Sequence, residues 1–130
     1  MSGSSLISKS LAVLRERGYA ADVCERSNRF VKHDLHGFGD IHAFSDDLVM
    51  IVQVTDSDHA AGHRLKLLLN PLLCSWAFRS DRRAILHVWS RRKLVHGGRR
   101  WVWRLTEELY SASSPPKWLV VGEDLEEVGS

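Results

Sequence analysis

The sequence predicts an α/β domain, a mixed β-sheet flanked by helices in the order α-β-β-β-α-α-β-β. Three observations predict it. The chain opens on a helical periodicity. Its centre, Leu48 to Thr55, runs LVMIVQVT, β-branched and almost wholly apolar, as expected of a strand covered on both faces. Helical stretches then separate that run from two further strand-like runs, the alternation that puts helices on a sheet.

Ser4 and Ser5 are candidate N-caps for a first helix whose apolar face is Ile7, Leu11 and Leu14. Gly18 supplies its stop, with Arg15 and Arg17 near the negative end of the helix dipole. Tyr19 to Cys24 reads as a short strand and Leu35 to Phe44 as a second, in which Gly37 and Gly39 signal a bulge or a close backbone approach. Ser45, Asp46 and Asp47 form the turn into the central strand. Asp58 to Leu69 is helical in character, and Asn70-Pro71, a cap followed by a first helical position, starts another helix running to about Phe78. Ala84 to Ser90 and Arg100 to Leu105 are the last two strands, with Gly97-Gly98 as the turn between them. A single domain over residues 1–110 is expected, followed by a linker, SASSPP, and a mobile acidic tail to residue 130.

Composition narrows the function classes. Hydrophobic residues make up 44% and charged ones 26% of 130, which excludes a disordered chain. The longest apolar run, Leu48 to Val52, is far short of a membrane span, and the start MSGSSLISKS lacks a secretory signal, so a cytoplasmic location without a membrane partner is expected. Cys24 and Cys74 form no CxxC pair, which excludes a disulfide framework and a cysteine-built zinc site. The net charge of +2 conceals a basic block: Arg79 to Arg104 holds nine Lys/Arg against Asp81 alone. Interleaved with Trp89, Trp101 and Trp103, it suits a phosphate backbone or, equally, a solvated hairpin with core tryptophans.

Chemistry concentrates at the hairpin of the second and third strands. With Asp46 and Asp47 as its two loop residues, Asp40 stands directly across from Gln53, within the 4.5–5.5 Å or so that separates cross-strand Cβ atoms. Thr55 shares Gln53's face. A carboxylate, an amide oxygen and a hydroxyl converge there, hard oxygen ligands that suit magnesium. A one-residue slip in register would dissolve the arrangement.

The segments C-E-R (Cys24 to Arg26), D-L-H-G-F-G-D-I (Asp34 to Ile41) and V-Q-V-T (Val52 to Thr55), in this element order, resemble the PD-(D/E)XK nuclease superfamily of restriction-endonuclease-like and Holliday-junction-resolvase-like proteins. The likeness is to phage- and prophage-type members in which E-x-K is written Q-x-T. It spans roughly Leu6 to Leu105 and implies a restriction-endonuclease-like fold and a Mg2+- or Mn2+-dependent endonuclease acting on DNA. By that resemblance Asp40, Gln53 and the Val54 carbonyl hold the metal, and Glu25 is an auxiliary acid. Thr55 stands where the family has its catalytic lysine, and Lys66, or Arg64, on the following helix would supply the positive charge. Arg91, Arg92, Lys93, Arg99, Arg100 and Arg104 would track DNA phosphates, and a homodimer is expected by analogy. Two other readings stay open: a DNA-binding module of the same fold without catalysis, and a phage-type interaction domain.

His59, His63 and Lys66 share a helical face at i, i+4 and i+7, which is equally the pattern of a solvated face. His59 and His63 have a zinc-helix spacing, but Ala60 stands where HExxH needs its glutamate. Asp34 and His36 read as turn caps or outer groups of the Asp40 site, and Asp56 and Asp58 as caps of the helix that follows.

Overall fold

A computed structural model describes residues 3–24, 39–93 and 101–128. The elements are α1 (Gly3–Glu16), β1 (Ala20–Val23), β2 (Ile41–Phe44), β3 (Val49–Asp56), α2 (Ala60–Leu68), α3 (Pro71–Ala77), β4 (Arg82–Lys93), β5 (Trp101–Ser111) and β6 (Lys117–Val128). The strands form one mixed sheet in the order β1-β2-β3-β4-β5-β6, antiparallel throughout except that β3 and β4 run parallel. The α/β class and the flanking helices are as the sequence predicts.

Alternation along β3 divides the core. Met50, Val52 and Val54 pack with Leu6 and Leu14 of α1, whereas Ile51 packs with Ala60, Leu67 and Leu73 of α2 and α3. Helices thus cover both faces of β3, which is why its sequence is apolar throughout. Gln53 and Thr55 fall on the α2–α3 face and are buried.

Several expectations need correction. α1 begins at Gly3, so Ser4 and Ser5 stand inside its first turn rather than ahead of it. Its buried line is Leu6, Ser10 and Leu14, with Ile7 and Leu11 only partly covered. The part of the second predicted strand at 35–38, and the Gly97-Gly98 turn, lie outside the described residues. The acidic tail is the largest error: 117–128 is the sixth strand, paired along the length of β5. Its apolar start, Trp118 to Val121, has ample strand propensity. In its register Glu126 stands opposite Trp103 and Asp124 opposite Leu105.

Local rules hold where the signals were strong. Asn70 caps α3, its Oδ1 accepting from Leu72 N at 2.9 Å ahead of Pro71. Gly18, at φ +96°, closes α1: Tyr19 N donates to Leu14 O at 3.1 Å and Gly18 N to Arg15 O at 3.0 Å, the paired bonds of a Schellman cap. A Cβ at Gly18 would meet nothing within 4 Å, so Gly18→Ala tests backbone conformation alone. The expected loss is about 1 kcal/mol, seen as a fall of a few degrees in Tm by calorimetry.

Candidate metal centre

The β2–β3 register is Ile41 opposite Val52, with Ser45 N donating to Leu48 O at 2.9 Å across the turn. Asp40, one residue before β2, therefore faces Gln53. Asp40 Oδ2 accepts from Gln53 Nε2 at 2.7 Å and from Val54 N at 2.9 Å, while Asp40 N donates to Val52 O at 2.8 Å. Gly39 permits this close approach, since a Cβ there would lie 2.0 Å from Ile51 Cγ2. Within a strand the N–H and C=O of one residue point to the same side. The Val54 carbonyl thus faces the edge of β3 that meets the Asp40 carboxylate.

Gln53 is 6% exposed, and its Oε1 is buried with no hydrogen-bond partner. An orphaned buried amide oxygen is costly, on the order of 1–3 kcal/mol, and it marks a place where an electropositive group would be stabilised. One carboxylate, this amide oxygen and a backbone carbonyl are a donor set that fits magnesium, which keeps several waters and needs few protein ligands. Among the described residues no three His, Cys, Asp or Glu side chains cluster as a metal site. Any metal centre here therefore rests on amide and carbonyl oxygens beside one acid.

Among the described residues, no bond ties any of the predicted cations to Asp40 or Gln53. Thr55 is buried, and among the described residues its hydroxyl makes one long contact, Oγ1 to Asp56 O at 3.5 Å. Arg64 is committed to the opposite flank of α2: Nε donates to Glu108 Oε1 at 2.7 Å and Nη2 to Oε2 at 2.5 Å, with Glu108 itself 4% exposed. That bidentate bond, more than burial, decides the charge balance and raises the Arg64 pKa further. Arg64 is a clamp between α2 and β5, not a reserve cation. Lys66 is exposed, because Ala60 and Leu67 form the buried line of α2 and Lys66 is turned about 100° from Leu67. Among the described residues it makes no hydrogen bond or ion pair.

His59, not Asp56 or Asp58, is the N-cap of α2; Asp56 closes the turn ahead of it, its Oδ1 accepting from His59 N at 2.9 Å and meeting His59 Nδ1 at 2.7 Å. Burial opposes the Asp56 charge, but the His59 bonds outweigh it and lower its pKa; that same bond to Asp56 raises the pKa of His59. The His59 ring is thus held by Asp56 in the turn that leads into α2.

Of the basic residues, Arg91 and Arg92 are exposed, Arg91 lying 5.0 Å from the Trp101 ring centroid and 5.7 Å from that of Trp103. Arg104 forms an ion pair with Glu123 of β6. Trp89 and Trp103 are core residues. Glu25, Asp34, His36, Arg99 and Arg100 lie outside the described residues, as does the side chain of Lys93.

A polar network missed in the sequence lies on the α1 face. Ser10 Oγ meets His87 Nδ1 at 2.8 Å and accepts from Trp89 Nε1 at 2.8 Å, and His87 Nε2 meets Glu107 Oε2 at 2.9 Å. Arg17 Nη1 pairs with Glu107 at 2.8 Å. The bonds are all satisfied when Nε2 carries the proton and Ser10 donates to Nδ1. Ser10 and His87 are 0% exposed, so no substrate reaches the hydroxyl, and the ring presents Nδ1 rather than Nε2 to it, the reverse of a hydrolase triad. The network is structural. Burial pushes the Glu107 pKa up, but His87 and Arg17 together hold it below the usual carboxylate value. Ser10 between Leu6 and Leu14 was the available signal, a hydroxyl at i+4 and i−4 from buried leucines.

No protein-family model, curated protein or solved structure matches the chain. No helix among the described residues is long and apolar enough to cross a membrane.

Proposed function

We propose that the chain is a restriction-endonuclease-like domain that hydrolyses DNA phosphodiesters with magnesium or manganese. The observation that carries this reading is the Asp40 carboxylate set against the Gln53 amide, whose Oε1 is buried and unpartnered. The element order supports it: helix, strand, Asp40 strand, Q-x-T strand and helix follow as the resemblance implies.

The ion, when bound, lowers the pKa of its water and stabilises the leaving oxygen. Asp40 supplies the charged ligand, and Gln53 the neutral one once its amide turns Oε1 toward the carboxylate. Val54 supplies its carbonyl. Thr55 has no charge to give, so the cation beside the phosphate is Lys66, whose long side chain is uncommitted on the helix covering this face. Arg91 and Arg92 hold DNA phosphates outside the centre, and a homodimer acting on two strands belongs to the same proposal by analogy.

The exposure of Lys66 and the Arg64–Glu108 clamp favour one second reading, a DNA-binding module that does not cut. Supercoiled plasmid and branched DNA incubated with Mg2+ or Mn2+ separate the two. Metal-dependent nicking, slowed at least about tenfold by Lys66→Met, is the expected outcome. Binding that weakens steeply with salt, without nicking, establishes the second reading. No binding at low salt excludes both.

A further inference from the structure

Among the described residues, two helices pack on one face of the sheet and one, α1, on the other. There its last turn and the sheet enclose a pocket of about 270 Å3. The walls are apolar, with Leu14 and Met50 buried at its floor, Ile85 and Leu109 half-buried beside them and Val121 of β6 exposed at its rim. Three charged side chains line it: Arg17, Glu107 and Arg83.

Their charges are unequally matched. Glu107 is balanced by Arg17 and hydrogen-bonded to His87. Among the described residues Arg83 has no carboxylate partner: its Nη1 donates to Ser80 O at 2.6 Å and Arg82 O at 2.9 Å, and these are its only polar contacts there. Two carbonyls fix one corner of the guanidinium and leave Nε and Nη2, the edge that grips a carboxylate through two parallel bonds, without a bond.

We propose that this pocket binds a small amphipathic carboxylate, a medium-chain aliphatic or aryl acid. Its carboxylate pairs with Arg83, and its apolar body lies along Ile85, Leu109 and Val121. The site is separate from the Asp40–Gln53 centre, which lies on the opposite face of the sheet, and stands whether or not the chain cuts DNA. A second copy of the chain is a poorer occupant, because two-fold packing on this patch brings one unpaired Arg83 toward another.

Octanoate and octylammonium, equal in chain length and opposite in charge, are the probes. Calorimetric titration of the intact protein is expected to show saturable octanoate binding at least about tenfold tighter than octylammonium. Octanoate should shift the methyl resonances of Leu14, Ile85, Leu109 and Val121. Arg83→Met, which keeps an apolar stem and whose folding is checked from the same methyl spectrum, should weaken octanoate about tenfold or more without weakening octylammonium. Absence of saturation at millimolar octanoate, equal binding by Arg83→Met, or shifts confined to other methyls overturns the proposal. So does a concentration-dependent dimer that protects these methyls in the absence of octanoate.

Discussion

Asp40→Asn is expected to remove metal-dependent nicking, by more than about 100-fold, while leaving the protein folded. The loss follows from charge: Asp40 is the only carboxylate of the donor set, and a neutral amide in its place forfeits several kcal/mol of metal and transition-state stabilisation. The fold survives because an asparagine oxygen still accepts from Gln53 Nε2 and Val54 N, which Asp40 Oδ2 now serves at 2.7 and 2.9 Å. Asp40→Ala is the less informative variant. It strands the Val54 N–H where β2 begins and confounds lost chemistry with lost stability. Plasmid nicking beside a thermal melt distinguishes the two, and an Asp40→Asn protein that nicks like the parent contradicts the nuclease reading.

The largest stability effect is expected from His87→Ala. His87 is fully buried and joins Ser10 of α1 to Glu107 of β5. Truncation leaves a cavity, removes the acceptor of the Ser10 hydroxyl proton, though Trp89 Nε1 still donates to that oxygen, and takes one of two charge-stabilising neighbours from Glu107. The combined loss is about 3 kcal/mol, a fall in Tm of roughly 10 °C, readable by calorimetry at pH 7. The pH dependence gives a second readout. The folded pKa of Glu107 lies below the ordinary 4.5, so its contribution is present above that pH and lost as pH falls below it. With His87 gone that depression shrinks, and the acid limb of the stability curve should be shallower than in the parent. An unchanged Tm and an unchanged acid limb would show that the network is incidental.

What could be read in advance was local. The turn at Asp46 and Asp47 and the alternation around it set the β2–β3 register, and with it the meeting of Asp40 and Gln53 thirteen residues apart. Asn70-Pro71 and Gly18 declared helix ends through cap chemistry that depends on a few neighbours. Gly39 announced a close approach that Ile51 then fills.

What escaped was set by distant partners. The spacing of His59, His63 and Lys66 identified a shared helical face, but Ala60 and Leu67 decide which face turns inward. Arg64 meets Glu108 across 44 residues, a pairing that no periodicity encodes. The 117–128 segment carries too many acids to read as core, yet an edge strand needs only one buried side. Its Glu123 pairs with Arg104 of β5. Of the described part of the basic block, Arg91 and Arg92 are exposed and Arg104 is paired with Glu123.

Everything proposed about catalysis depends on a divalent ion lodging between one acid and one amide. A crystal soaked in Mn2+ and measured at the manganese edge tests that directly. The expected result is an anomalous peak bonded to the Asp40 carboxylate, Gln53 Oε1 and the Val54 carbonyl, at metal–oxygen distances of about 2.0–2.3 Å, with the Gln53 amide turned over from its present hydrogen bond. Gln53 Nε2 still resting on Asp40 at saturating Mn2+, with no peak between them, would contradict it.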